Sequence, residues 1–167
     1  MKTTLLAILC TASSLLAADR IPNQLIDYPK FVQIAKQVAP VREQRRLSEG
    51  QFMELAADPG TVVLDARSAD KFAMRHIKGA VSLPFTDFTE AALEKAIPTK
   101  ATRVLIYCNN NFRGSPRALP AKVAPASLNI STFIALTTYG YTNVYELGPL
   151  LDVATTKLPF EGSEVTK

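Results

Sequence analysis

Arg103-Val104-Leu105-Ile106-Tyr107-Cys108-Asn109-Asn110-Asn111-Phe112-Arg113-Gly114-Ser115-Pro116 opens with the clearest strand in the chain and then turns abruptly polar. An apolar, β-branched run of this length reads as a strand covered on both faces, the kind found inside a parallel sheet. Cys108 is the first residue past its end. Thr61-Val62-Val63-Leu64-Asp65 is a second run of the same kind, and Asn143-Val144-Tyr145-Glu146-Leu147 a third. Ala80-Val81-Ser82-Leu83-Pro84 is a shorter strand stopped by proline, and Arg46-Leu47 leads through Ser48, as N-cap, into a helix with Phe52 and Leu55 turned inward. Helical patterns separate these runs at Ala69 to Arg75, Phe88 to Ile97 and Ile130 to Thr137, the last ended by Gly140. Strands alternating with helices imply βαβ crossovers. The expected fold is therefore α/β, a mainly parallel central sheet of about five strands with helices on both faces. Ligands of such sheets gather at the carboxyl ends of the strands, where Cys108 stands.

Outside this core the chain falls into unlike pieces. Residues 1–18 combine Lys2, a short apolar stretch diluted by Thr and Ser, and a small-residue end at Ala17-Ala18, the pattern of a secretory signal peptide. The stretch falls short of the ~20 apolar residues that span a bilayer. Removal of this leader predicts an exported protein, periplasmic or secreted, with no membrane span. Residues 19–42 read as a helical extension, with Phe31, Val32, Ile34, Ala35 and Val38 at helical spacing between Pro29 and Pro40. The main domain is expected over 43–152 and a tail over 153–167.

Composition narrows the function. The 167 residues are 47% apolar and 20% charged, with a net charge of +4 that forms no basic block and does not interleave with aromatic residues, so a nucleic-acid groove is excluded. Of two cysteines, Cys10 lies in the leader, which leaves Cys108 without an internal disulfide partner. One histidine and one remaining cysteine build no usual metal set, so neither metal nor cofactor is expected. In the loop after Cys108, Ser115 suits a helix N-cap and Pro116 the first helical position. Asparagine tolerates left-handed backbone, so Asn109, Asn110 and Asn111 beside Gly114 predict a tightly curled loop whose N–H groups converge on an anion. Arg113 adds planar donors suited to sulfur or phosphorus oxyanions.

Four segments taken in order resemble a known family. Val63-Leu64-Asp65-Ala66-Arg67, then His76-Ile77-Lys78-Gly79-Ala80-Val81-Ser82-Leu83-Pro84, then Val104 to Gly114, and finally Tyr139-Gly140-Tyr141-Thr142-Asn143-Val144-Tyr145-Glu146-Leu147 are similar to the signatures of the rhodanese (thiosulfate sulfurtransferase) domain. The likeness covers about Arg46 to Leu151. It implies that Cys108 is a nucleophile that forms a persulfide, and that Asn109, Asn110, Asn111, Phe112, Arg113 and Gly114 cradle the substrate anion. Asp65, Arg67, His76 and Gly79 map to positions that are mostly structural, with Asp65 and Arg67 in a supporting place beside the site. The implied partners are a small-molecule sulfur donor and a thiol, sulfite or cyanide acceptor. Cys108 to Arg113 is one residue shorter than the loop of cysteine phosphatases, which counts against phosphate ester chemistry. The chain also departs from the family, with Asn111 where many members have Gly and Gly114 where many have Ser. Pro116 to Pro125 is a long insertion with Pro120 inside it. An alternative reading follows from that insertion: a catalytically weak or inactive module that binds an anion or a protein partner.

Overall fold

The computed structural model describes residues 21–165; the leader expected over 1–18 lies outside them. The elements in chain order are α1 (Tyr28–Gln44), β1 (Arg46–Leu47), α2 (Glu49–Ala56), β2 (Thr61–Asp65), α3 (Ala69–Met74), β3 (His76–Ile77), β4 (Val81–Ser82), α4 (Glu90–Ala96), β5 (Arg103–Tyr107), β6 (Phe112–Arg113), α5 (Leu128–Thr138), β7 (Val144–Leu147), β8 (Leu151–Asp152) and β9 (Phe160–Glu161). Five strands form the central sheet in the order β1-β7-β5-β2-β4, every neighbouring pair parallel. β5 lies at its centre, in register with β2 from Thr61↔Arg103 to Asp65↔Tyr107.

The pleat divides the core in two. Val62 and Leu64 of β2, Val104 and Ile106 of β5 and Val144 of β7 face one side, where α1, α4 and α5 cover them through Val38, Leu93 and Phe133. Val63, Leu105, Tyr107 and Leu147 face the other, against Phe52 of α2 and the chain around Leu119 and Leu158. Helices therefore pack on both faces, as the alternation predicts. Ser48 caps α2 with a full capping box to Gln51. The C-terminal segment belongs to the packed structure: Leu158 is buried, and β9 pairs antiparallel with β3.

Two local expectations are corrected. α1 does not end at Pro40 but continues through it to Gln44. Pro40 is exposed and removes a single backbone donor, while the turn beyond it is pinned by Arg42, whose Nε and Nη2 donate to the two carboxylate oxygens of Glu146 at 2.9 and 2.7 Å. No helix starts at Ser115. The Leu119 N–H does reach the Ser115 carbonyl at 2.7 Å, one helical turn's worth of bonding, but Pro120 has no N–H to continue it. The chain instead runs without strand or α-helix, apart from a 3-10 turn at Ala124–Ala126, until Ser127 and α5, forming a strap across the carboxyl edge of the sheet.

A buried charge cluster ties the edge together. Asp65 is 0% and Arg67 2% exposed, and the guanidinium Nε and Nη2 contact the carboxylate at 2.9 and 2.5 Å. Arg67 also donates from Nη1 to the carbonyl of Ala118 in the strap (3.0 Å) and from Nη2 to that of Arg75 before β3 (2.7 Å). The Tyr107 hydroxyl donates to Asp65 at 2.5 Å and accepts from the Ile77 N–H at 3.1 Å. Burial, then the adjacent Asp65 charge, raises the phenol pKa well above its ordinary value, so it stays a donor. Burial opposes the Arg67 charge, but Asp65 outweighs it and the net shift is upward. Breaking a buried pair from one side costs about 3–5 kcal/mol, and losing one buried hydroxyl about 1–3 kcal/mol. Arg67→Met should therefore destabilise the fold severely and Tyr107→Phe moderately, in urea melts of the two purified variants; equal, small shifts would refute the ranking.

Glu146 gives a pH signature. Burial raises its pKa, with the Arg42 guanidinium pulling the other way. The folded state then holds the proton more tightly than the unfolded chain, so this group's contribution falls as pH rises from the ordinary carboxylate value through the folded one. Wild type should therefore lose stability relative to Glu146→Gln, whose side chain stays neutral, as pH rises across that window, which paired urea titrations at several pH values would read out; a gain relative to the variant would refute it.

Candidate active site

Cys108 takes extended backbone (φ −148°, ψ −174°) directly after β5 and is 1% exposed. Its Sγ lies 3.4 Å from the Ser127 Oγ at the foot of the strap. The three asparagines that follow make a right-handed 3-10 turn, and no non-glycine residue among those described has positive φ. This replaces the left-handed curl expected from the asparagine run. The Asn111 N–H bonds the Cys108 carbonyl at 3.1 Å and the Phe112 N–H bonds the Asn109 carbonyl, so both amides serve the turn rather than an anion.

Side-chain partners explain the choice of backbone. Asn111 spends its whole amide: Oδ1 accepts from the Cys108 N–H (2.9 Å) and from Asn129 (3.0 Å), and Nδ2 donates to the Leu147 and Pro149 carbonyls at 2.7 and 3.3 Å. It anchors the cysteine loop to the end of β7 and to α5. Asn110 instead clasps the strap, donating to the Lys122 carbonyl at 2.8 Å and accepting from the Lys122 N–H at 3.0 Å. Asn109 is 5% exposed, and its Oδ1 has no partner.

The other expected loop residues point elsewhere. Phe112 is buried, its ring edge-on to Tyr107 and Phe160. Arg113 is 70% exposed, and its Nε sits 3.3 Å from Asp152 of β8. Gly114 follows at φ +89°, where a Cβ would meet Val153 and Asp152 at 3.0 and 3.1 Å, so a serine there would be strained. The structure thus brings Cys108 and Asn109, Asn110 and Asn111 together and turns Phe112, Arg113 and Gly114 onto β8. Asp65 and Arg67 lie in the buried cluster beneath. His76 stacks on Phe72 at 3.7 Å with its Nδ1 2.8 Å from the Phe72 carbonyl, a structural placement.

Two clefts flank the cysteine loop. One, of about 390 Å³, is lined by Arg67, Ser68, Lys71, Thr86, Asn109 and Lys122 among others. The other, of about 260 Å³, includes Asn110, Asn111, Ser127, Asn129 and Glu146. Ser127, Asn129, Lys71 and Lys122 carry no sequence signal linking them to Cys108; only the path of the strap and of α3 places them here. Among the described residues no group of His, Cys, Asp and Glu could hold a metal ion, and no helix is long and apolar enough to cross a membrane.

Comparisons with known proteins agree with this fold. A crystal structure of the BH2092 protein from Bacillus halodurans superposes with a TM-score of 0.54 at 15% identity, covering 80% of this chain and 88% of that one. The solution structure of the rhodanese-like domain of the Alr3790 protein from Anabaena gives 0.52 at 18% identity over 72% and 80%. The anaerobic ergothioneine biosynthesis enzyme from Chlorobium limicola, in complex with trimethyl histidine, gives 0.50 at 18% identity over 71% of this chain but 28% of its own. These likenesses speak to the fold. No curated protein matches the sequence. The sequence profile of the rhodanese-like domain matches residues 48–148, from the N-cap of α2 to the end of β7, and the chain belongs to that family.

Proposed function

We propose that the protein is a sulfurtransferase that carries sulfur as a persulfide on Cys108. The observation that carries this reading is the position of Cys108: the first residue past the central strand, at the carboxyl edge of a parallel sheet, opening a loop whose next residues line two clefts. The thiolate attacks the sulfane sulfur of thiosulfate or a related donor. A new S–S bond forms while the donor's own S–S bond breaks, and sulfite leaves with the electron pair. A nucleophilic acceptor such as cyanide, sulfite or a thiol then takes the outer sulfur and returns Cys108 to the thiolate. The leader-like start of the sequence supports an exported setting for this chemistry.

The burial of Cys108 favours a second reading, a domain that holds a ligand or partner without turnover. Mass spectrometry separates the two. Incubation with thiosulfate should add one sulfur to the intact protein, cyanide should remove it, and Cys108→Ser should abolish it; no adduct at any pH the fold tolerates would favour the binding module.

The strap must yield for a donor to reach Sγ, and the Asn110–Lys122 clasp holds it shut. Asn110→Ala should raise the rate of Cys108 alkylation by iodoacetamide several-fold under native conditions; an unchanged rate would remove the clasp as the barrier.

A further inference from the structure

We propose that Ser127 is a catalytic residue: its hydroxyl donates a hydrogen bond to the Cys108 thiolate and holds the sulfur in its reactive form, a duty brought from outside the cysteine loop. The inference rests on the sulfurtransferase reading for the reaction that the thiolate enters, but not for the hydrogen bond itself.

Three observations carry it. The first is contact. The Ser127 Oγ lies 3.4 Å from the Cys108 Sγ, within hydrogen-bonding range for sulfur, and that sulfur is the hydroxyl's one partner among the described residues. While Cys108 carries its proton, either group can donate. Once the proton has gone to solvent the sulfur can only accept, so the hydroxyl must be the donor. A hydrogen bond to an ion is stronger than one between neutral groups, and the contact therefore favours the thiolate over the thiol. The hydroxyl keeps its own hydrogen throughout, and no proton is relayed.

The second is a cap forgone. Ser127 is the N-cap residue of α5, yet its side chain makes no capping hydrogen bond. At the corresponding positions Asp27 of α1, Ser48 of α2 and Thr89 of α4 each accept from a backbone N–H of the first turn. Ser68 of α3 also makes no such bond, but it is exposed to water, whereas Ser127 is half-buried. Serine at this position ordinarily stabilises a helix through its hydroxyl. At Ser127 that gain is given up and the oxygen is turned to the sulfur.

The third is placement. Two backbone hydrogen bonds of 3.1 Å, from the Ser127 N–H to the Ala124 carbonyl and from the Ile130 N–H to the Ser127 carbonyl, fix the residue between the 3-10 turn of the strap and α5. Two residues on, the Asn129 amide donates to the same Asn111 Oδ1 that accepts from the Cys108 N–H. Serine and cysteine are thus referred to one shared anchor, which holds their side chains in reach of each other.

The pH dependence of Cys108 alkylation by iodoacetamide tests this, read at Cys108 by peptide mass spectrometry: the midpoint of the profile follows ionisation, and the plateau follows access through the strap. The charged residues lining the two clefts beside the loop, Arg67, Lys71 and Lys122 in one and Arg42, Arg46 and Glu146 in the other, are the same in every variant. Ser127→Ala should move the midpoint to higher pH by about one unit, through loss of a hydrogen bond to a charged group, and Ser127→Thr should restore it. Below that midpoint Ser127→Ala should also load sulfur from thiosulfate several-fold more slowly than the parent. A changed plateau with an unmoved midpoint would mean that Ser127 only holds the strap, and would overturn the proposal. A shift that Ser127→Thr fails to reverse, or sulfur loading unchanged beside a moved midpoint, would overturn it too. A shift reversed by threonine in a protein whose Cys108 never acquires sulfur would leave the hydrogen bond standing and remove the sulfurtransferase reading instead.

Discussion

A carboxylate and a guanidinium two residues apart, both withdrawn from water, hold the working edge of this molecule together. Asp65 ends β2, the Tyr107 hydroxyl reaches it from the end of β5, and Arg67 extends the cluster to the strap and to the start of β3. Two unpaired charges at this depth would be intolerable, so each of these segments is obliged to stay where its partner needs it. The last residue before Cys108 is part of the cluster. The cysteine loop is therefore launched from a point that cannot drift without exposing a buried ion.

From that fixed point the three asparagines divide the labour. Asn111 ties the loop downward, to the end of β7 and to α5, with all four of its hydrogen-bonding positions in use. Asn110 ties it outward to the strap. Asn109 fills its buried place with its Oδ1 unpartnered. A run of identical residues thus carries three different duties, set by which long-range neighbour each side chain meets. It also accounts for the right-handed turn: the side chains take over the positions that a curled backbone would have used to satisfy the same groups.

The strands and most of the helices were legible because their signals are local: β-branched runs for β2 and β5, a capping box for α2, proline at the head of α1. The position of Cys108 followed from the strand alone. What could not be read was anything decided at a distance. Pro40 looks like a terminator until Glu146, about a hundred residues away, is seen gripping the turn beyond it. Arg113 reads as an anion ligand, and only the pairing of β6 with β8 shows its Nε 3.3 Å from Asp152. Pro120 marked the expected helix as short or kinked rather than absent, and nothing near it told where the freed segment would lie, or that it would bring Ser127 within 3.4 Å of the sulfur.

The two outermost strands of the central sheet, β1 and β4, are each only two residues long. A sheet boundary offers its free N–H and C=O groups to any passing chain, and the hazard grows with the length of the exposed ladder. Here the long strands β5 and β2 are enclosed, and the margins are too brief to template a growing fibril. The same economy that surrounds the Cys108 sulfur with structure leaves the central sheet little free edge for another chain to extend.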